Sequence, residues 1–229
     1  MPAQDYIYVS DGGHCPYGPK PVDYVMERAR KITEWLMKRG CSQIVVACNT
    51  ATAAAIGYLR SHYDIPFIGM EPAIKPAALH SETGVVGVLA TAGTLKGELY
   101  HRTLAHFASN VKVIERVGEG LVEAVENGDI SSDHVMDLLH RYIDPMLEAG
   151  ADHIVLGCTH YPFLYDAIKS ITGDRAEIIN PAPAVARQSS RFAEAATGNG
   201  SAEFYTTKKG GEPNLDSILP GLEFNYLDL

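Results

Sequence analysis

Two cysteines in this chain come directly after short runs of strand-forming residues. Cys48 follows Ile44–Ala47, and Cys158 follows Ile154–Gly157, with His160 two positions further on. If these runs are parallel strands, both thiols lie at the carboxyl edge of a sheet, where open α/β sheets bind their ligands. A thiolate is a nucleophile and a base, and a neighbouring imidazole favours its formation. These three side chains are therefore the first candidates for chemistry.

The two cysteines belong to an internal repeat. The stretch LMKRGCSQIVVACNT at 36–50 aligns without a gap with MLEAGADHIVLGCTH at 146–160. In each copy a glycine stands eight residues before the cysteine, an isoleucine four before and a valine three before. The copies lie 110 residues apart, which is too far for a solenoid period and suits two similar α/β domains. Two such domains facing one another would place Cys48 and Cys158 on opposite walls of one cleft.

The number of thiols decides which chemistry this pattern favours. One cysteine with His160 is typical of acyl transfer or hydrolysis. Two equivalent cysteines favour stereoinversion, in which one thiolate removes a proton from carbon and the opposite thiol returns one to the other face. Asn49-Thr50 and Thr159-His160 would begin the next helices, so that backbone N–H groups near each sulfur stabilise a thiolate. The sequence has no GxGxxG in a βαβ setting and no GxxxxGK(S/T), so it predicts no cofactor, although a Schiff-base lysine stays open.

Each candidate also has a purely structural interpretation. A cysteine is most often a small buried hydrophobe, which is how we interpret Cys41. Asn49, Thr50 and Thr159 could be ordinary helix caps, and a cap can also bind a ligand. Cys15, in a Gly/Pro-rich loop next to His14, receives no assigned role.

The composition limits the class of protein. The chain has 229 residues, of which 46% are hydrophobic and 21% charged, as in an ordinary globular protein. A net charge of −9 argues against a nucleic-acid or anionic-membrane surface. Four cysteines with no CxxC pair indicate neither a disulfide framework nor a metal site. Because no signal peptide or membrane-spanning run is present, we expect a cytoplasmic protein, and a homodimer stays an open alternative.

Strands and helices are predicted to alternate along the chain. The predicted strands are Tyr6–Val9, Ile44–Ala47, Pro66–Met70, Val85–Ala90, Val111–Ile114, Ile154–Gly157, Glu177–Ile179 and Glu203–Thr206. The predicted helices are Val22–Arg39, Ala51–His62, Leu95–Phe107, Asp133–Ala149, Phe163–Thr172 and Ala184–Ala196. Continuous β-branched runs are typical of parallel strands buried on both faces, so the fold class is α/β.

Five motifs identify a family. They are PYGPK (16–20), VVACNTA (45–51), LATAGTL (89–95), LVE (121–123) and LGCTHYP (156–162), and FYTT (204–207) is similar to the family's closing segment. Through them the chain resembles the glutamate racemases, cofactor-independent members of the aspartate/glutamate racemase superfamily. CNTA together with CTHYP, about one domain apart, is the specific part of this signature.

The resemblance implies an architecture and a reaction. It implies two pseudosymmetric parallel-sheet α/β domains with the active site in the cleft between them. The first domain would comprise residues 1–71 and 182–229, and the second residues 72–181. The implied reaction interconverts L- and D-glutamate without a cofactor or a metal, and supplies D-glutamate for the peptidoglycan that forms the bacterial cell wall and sets cell shape.

The resemblance also implies roles for particular side chains. Cys48 and Cys158 would be the proton-exchanging pair, His160 would assist Cys158, and Glu123 would be the acidic residue near that thiol. The implied substrate-binding residues are Tyr17, Gly18, Asn49, Thr50, Thr91, Thr94, Thr159 and His160. Glu123 also fits a solvated helix face, because Glu119 and Glu126 flank it.

The chain departs from the family at its start. Family members open with a strand that ends in Asp-Ser-Gly, whereas DYIYVSD here looks like the family's second strand. About 25–30 residues, roughly one βα unit, would be missing. The neighbouring strands would then lack ladder partners and expose an apolar edge, and we expect the chain to be less active and less stable than a complete racemase.

Three alternatives remain at this point. A racemase for aspartate or another amino acid would use the same thiols on a different substrate. A non-catalytic amino-acid-binding protein would bind glutamate without exchanging its α-proton. A Cys–His hydrolase would form an acyl-enzyme on one cysteine only.

Overall fold

The computed structural model describes residues 4–192, 198–212, 214, 218 and 220–229. Its strands are β1 (Tyr6–Ser10), β2 (Ile44–Val46), β3 (Phe67–Gly69), β4 (Val85–Ala90), β5 (Lys112–Val117), β6 (His153–Gly157), β7 (Glu177–Ile179), β8 (Ala202–Thr206) and β9 (Asn225–Tyr226). Its helices are α1 (Val22–Lys38), α2 (Asn49–His62), α3 (Ile74–His80), α4 (Ala92–Leu95), α5 (Glu98–Phe107), α6 (Leu121–Glu126), α7 (Asp133–Glu148), α8 (Tyr165–Thr172) and α9 (Ala182–Ser190). Every strand pairing within these residues is parallel, which confirms the α/β fold class.

The middle of the chain forms a four-stranded parallel sheet in the order β5-β4-β6-β7. Residues 86–90 of β4 and all of β6 are buried, as predicted for strands with helices on both faces. Leu89 and Leu156 pack on one face with α6, α7 and α8. Val88 and Val155 pack on the other face with α3 and α5. Successive side chains of one strand therefore join two separate hydrophobic cores.

The strands at the two ends of the chain form two further parallel sheets, β1-β8-β9 and β2-β3. A core that includes Leu36, Ile56 and Phe67 joins α1 and α2 to the β2-β3 pair. Within the described residues, β1 and β2 each have one edge without a strand partner. Tyr8 on β1 is 48% exposed and Val45 on β2 is 38% exposed. The division into two domains stays a prediction.

The two copies of the sequence repeat have the same backbone. The helices α1 and α7 both end at a glycine with positive φ, Gly40 at 81° and Gly150 at 90°. The next amide then donates back to the helix, from Cys41 to the Leu36 carbonyl at 3.2 Å and from Ala151 to the Met146 carbonyl at 3.0 Å. This is the Schellman arrangement, which favours glycine because it lacks a Cβ. In both copies it turns the chain into the strand that leads to the cysteine.

Short elements escaped prediction. The helices α3 and α6 were not predicted, because seven or fewer residues make fewer than two helical turns and show little of the helical period. The two-residue strand β9 was also not predicted. The predicted helix Leu95–Phe107 is observed as α5, which begins only at Glu98, after a break at Lys96-Gly97 that separates it from α4. A Cβ on Gly97 would lie 2.7 Å from the Ala53 Cβ, so this break lets α2 approach closely.

The last predicted helix, Ala184–Ala196, is observed as α9, which ends at Ser190. The predicted residues 193–196 lie outside the described part of the chain. Across the described residues, no helix has the length and apolar character needed to span a membrane.

Candidate active site

Cys48 is the N-terminal capping residue of α2. Its backbone is extended, and its Sγ accepts a hydrogen bond from the Ala51 backbone N–H at 3.5 Å. Burial raises the pKa of Cys48, while the backbone N–H groups of Ala51 and Thr50 act in the opposite direction. Cys48 is therefore a neutral thiol at neutral pH in the unliganded protein.

Cys158 follows β6 and is 8% exposed. Burial raises the pKa of Cys158 to about 12, with a smaller opposing effect of the His160 backbone N–H. The neighbouring Cys48 contributes to the rise, because two thiolates near one another would repel. The two sulfurs are thus electrostatic neighbours, although 110 residues separate them along the chain.

His160 connects Cys158 to a carboxylate. The Cys158 Sγ lies 3.7 Å from Nδ1 of His160, within hydrogen-bonding distance for sulfur. On the other side of the ring, Nε2 lies 2.6 Å from Oε1 of Glu126. The hydrogen bond with His160 lowers the pKa of Glu126, so this carboxylate is ionised at neutral pH. An ionised Glu126 holds a proton on Nε2 and leaves Nδ1 to exchange a proton with Cys158.

Two acidic residues of α6 lie near Cys158 and act on it differently. Glu123 has an exposed side chain and makes no hydrogen bond to His160 or Cys158. Its charge still contributes to the raised pKa of Cys158. Glu126 lies one helical turn later, at the end of α6, and it is this residue that meets His160. A spacing of three residues in a short helix allows either carboxylate to face the cleft, and only the packing of α6 selects Glu126.

Three threonine hydroxyls meet across the cleft. Thr50 Oγ1, near the start of α2, lies 2.8 Å from Thr91 Oγ1 and 3.4 Å from Thr94 Oγ1. Thr91 caps α4 and lies 3.0 Å from Thr94 Oγ1. Gly18 packs against this group, since a Cβ on Gly18 would lie 3.1 Å from the Thr91 Cβ. Four of the predicted substrate-binding residues therefore form one cluster beside Cys48.

Asn49 is buried, at 3% exposure, directly after Cys48. Neither its amide nitrogen nor its amide oxygen has a hydrogen-bond partner among the described residues. A buried polar group without a partner is costly, and a polar ligand could supply the missing bonds. Thr159, the equivalent position in the second copy, is half-buried in the turn after Cys158.

The scaffold holds the hydroxyl of Tyr17. This hydroxyl donates a hydrogen bond to the Asp11 carboxylate. Asp11 also forms a buried ion pair with Arg28 on α1, in which Nη2 of Arg28 and Oδ1 of Asp11 are 2.7 Å apart. Thr207 donates to the same carboxylate at 2.8 Å. This network joins the loop before Gly18 to α1 and to the end of β8. This network could not be predicted from the sequence, because Asp11 and Arg28 match no spacing rule.

Cys15 also lies in this cleft. Its Sγ is 3.6 Å from Oε1 of Glu126, the carboxylate that pairs with His160. The sequence alone assigned no role to Cys15. The contact with Glu126 is non-local, so no spacing within the chain could have predicted it.

The chain is similar in sequence to known proteins. A sequence model of the family described as Asp/Glu/Hydantoin racemase matches residues 9–189. The glutamate racemase of Herpetosiphon aurantiacus is 45% identical over 219 residues, which cover 93% of this chain and 85% of that protein. The glutamate racemase of Ralstonia pickettii is 48% identical over 196 residues, which cover 86% of this chain and 70% of that protein.

A solved structure agrees with these sequence matches. Escherichia coli glutamate racemase, in complex with L-glutamate and the activator UDP-MurNAc-Ala, superposes with a TM-score of 0.84 at 31% identity. The superposition covers 97% of this chain and 88% of that one. A glutamate racemase isoform from Bacillus anthracis gives a TM-score of 0.86 at 29% identity and covers 100% and 90%. The chain therefore belongs to the Asp/Glu/Hydantoin racemase family.

Proposed function

We propose that this protein interconverts L- and D-glutamate by exchanging the α-proton between Cys48 and Cys158. The observation that carries the proposal is the placement of two thiols at equivalent strand ends, where Cys48 contributes to the raised pKa of Cys158. The naming of its relatives as glutamate racemases and the L-glutamate in the Escherichia coli structure support the choice of substrate.

The proton balance follows from the two thiols. The thiolate on one wall takes the α-proton and becomes a thiol, which leaves a carbanion at the α-carbon. The thiol on the other wall gives its proton to the opposite face and becomes a thiolate. One turnover inverts the carbon and exchanges the protonation states of Cys48 and Cys158. Cys48 and Cys158 are then in the protonation states required to act on the opposite enantiomer.

Substrate binding must supply charge that the unliganded site lacks. Both thiols are neutral in the unliganded protein, because burial raises each pKa. The α-ammonium group of an amino acid places a positive charge in the cleft and favours one thiolate. At Cys158, His160 can accept the thiol proton at Nδ1, and Glu126 stabilises the imidazolium that results.

The polar residues beside Cys48 suit the rest of an amino acid. The amide of Asn49 has unused donors and an unused acceptor, and the threonine cluster of Thr50, Thr91 and Thr94 offers hydroxyls. These groups can orient the α-carboxylate and the side-chain carboxylate of glutamate, so that the α-carbon lies between the sulfurs. Thr159 takes the same position beside Cys158.

The cellular role follows from the product. D-glutamate made in the cytoplasm would supply peptidoglycan synthesis, and thereby cell-wall growth and cell shape. Growth of a D-glutamate-requiring bacterial strain that expresses this chain, without added D-glutamate, is the expected result. A homodimer is part of this proposal, and sedimentation of the purified protein tests it.

Deuterium incorporation tests the reaction directly. In D2O, either enantiomer should exchange its α-proton and appear as both enantiomers, which proton NMR and chiral chromatography measure. Replacing Cys41, away from the cleft, with alanine should leave the exchange unchanged. If a Cys48→Ala/Cys158→Ala double variant still racemises glutamate, the two-thiol mechanism is wrong. Calorimetric binding of glutamate without any exchange in the wild type would instead indicate a binding protein.

A further inference from the structure

Three metal-binding side chains converge at the edge of the cleft from three separate segments. Cys15 lies in the loop before α1, Glu126 ends α6, and His160 follows Cys158. One ligand atom from each residue lies within 4.8 Å of those of the other two. Each side chain is partly buried, and those of His160 and Glu126 are 24% and 21% exposed. An ion entering the cleft can therefore reach all three.

The ligand types suit zinc. Thiolate, imidazole and carboxylate are the groups that bind Zn²⁺ in proteins, and two anionic ligands balance its charge. Zinc–ligand bonds of about 2.0–2.3 Å place tetrahedral ligands about 3.5 Å apart. The Cys15 Sγ and Glu126 Oε1 are already 3.6 Å apart. The His160 Nε2 and Glu126 Oε1 are 2.6 Å apart and would need to separate slightly. Three protein ligands leave a fourth position for water.

We propose that Cys15, Glu126 and His160 form a zinc-binding site whose occupation inhibits proton transfer at Cys158. Binding requires only the three side chains, whereas inhibition rests on the proposed racemase activity. The sequence predicts no metal site, because Cys15 stands more than 100 positions from both partners and no ligand spacing connects them.

Inhibition follows from the two nitrogens of His160. In the unliganded protein Nε2 faces Glu126, and Nδ1 faces the Cys158 Sγ. Zinc binding would release the Cys15 thiol proton to solvent, replace the proton on Nε2 of His160, which the ring would then carry on Nδ1, and break the hydrogen bond between His160 and Glu126. A neutral imidazole bound to metal through Nε2 carries its remaining proton on Nδ1. His160 could then no longer accept a proton from Cys158, and Glu126 could no longer stabilise an imidazolium.

Binding is tested in a chain that lacks the other two cleft thiols. The Cys48→Ala/Cys158→Ala variant, titrated with Co²⁺ as a spectroscopic substitute for zinc, should show a sulfur-to-cobalt charge-transfer band. Adding Cys15→Ser should remove the band and weaken Zn²⁺ affinity, measured calorimetrically, by at least about 100-fold. Adding Cys41→Ser instead, as the matched control, should change neither the charge-transfer band nor the Zn²⁺ affinity. Glu126→Gln, which preserves the shape of the side chain, should weaken affinity without removing the band.

The activity assay separates the two proposals. Zn²⁺ should inhibit the wild type and a chelator should restore it, while Cys15→Ser should be active and resistant to Zn²⁺. Equal zinc affinity of the Cys15→Ser and Cys41→Ser forms would overturn the zinc site. Zinc binding through Cys15 with equal inhibition of wild type and Cys15→Ser would overturn the inhibitory mechanism. A metal-free wild type that does not racemise glutamate would overturn the proposed function and leave the cobalt result standing.

Discussion

The two copies of the repeat position Cys48 and Cys158 on the same backbone but surround the thiols differently. Each copy runs from a helix through a glycine with positive φ into a strand, and the cysteine follows. At Cys48 the hydrogen bond comes from a backbone amide of α2. At Cys158 the sulfur meets a histidine that is itself bound to a carboxylate.

This difference shows which part of the site the repeat determines. The repeat fixes where the sulfurs lie, because in both copies the cysteine follows the glycine at the helix end by eight residues. It does not fix how each sulfur exchanges protons. Within the described residues, no imidazole or carboxylate is hydrogen-bonded to Cys48, whereas Cys158 has both His160 and, through it, Glu126.

The largest effect should come from removing either thiol. Cys48→Ala and Cys158→Ala should each lower kcat/KM for racemisation by about 10⁴-fold, because inversion needs an acid and a base on opposite faces. Circular dichroism of L- and D-glutamate follows the reaction, and Cys41→Ala is the control. An active single variant would show that the two walls are not both required.

The next effect should distinguish Glu126 from Glu123. Glu126→Gln should lower kcat/KM by about 100-fold, because His160 loses the partner that holds its proton on Nε2. Glu123→Gln, the same change one turn earlier, should stay within about twofold of wild type, as an exposed position does. The opposite ranking would restore the prediction made from the sequence.

Glu126→Gln should also reveal the asymmetry of the two walls. The enantiomers have equal free energy, so kcat/KM must fall by the same factor in both directions. The α-deuterium isotope effect need not change equally, since only one enantiomer gives its proton to Cys158. Isotope effects measured from each enantiomer should therefore diverge in Glu126→Gln. Equal changes would mean that His160 and Glu126 serve both thiols alike.

A smaller effect should test the shared backbone. Gly40→Ala and Gly150→Ala should each lower the free energy of unfolding by about 1 kcal/mol, because alanine is disfavoured at positive φ. A Cβ at either position would meet no other atom within 4 Å, so backbone strain alone is measured. Gly57→Ala, at an exposed position within α2, should instead raise the free energy of unfolding by up to about 1 kcal/mol. Urea unfolding measures the free energy of unfolding of all three variants. Unequal losses of stability in Gly40→Ala and Gly150→Ala would show that the two copies are not equivalent.

The smallest effect concerns stability at acid pH. The hydrogen bond with His160 lowers the pKa of Glu126 in the folded protein. This carboxylate therefore contributes stability above its unfolded pKa, and the contribution is lost as pH falls through the folded value. Glu126→Gln should lose less stability than the wild type on acidification. Urea midpoints measured from neutral to acid pH provide the comparison.

Much of the fold could be predicted because the signals were long or periodic. The buried strands β4 and β6 are continuous apolar runs, and α1 and α7 are long amphipathic segments that end in glycine. Short elements such as α3 and α6 were not predicted. The break at Gly97 was not predicted either, because it depends on the close approach of Ala53.

The sequence by itself determined the two thiols, His160 beside one of them, and the threonines that follow strands, since each of these is tied to a strand end by local spacing. Only the tertiary structure decided that Glu126 rather than Glu123 meets His160, that Asp11 pairs with Arg28, and that Cys15 joins the cleft. These contacts join segments far apart in the chain. Their geometry depends on how helices pack against sheets, and local propensity does not determine that packing.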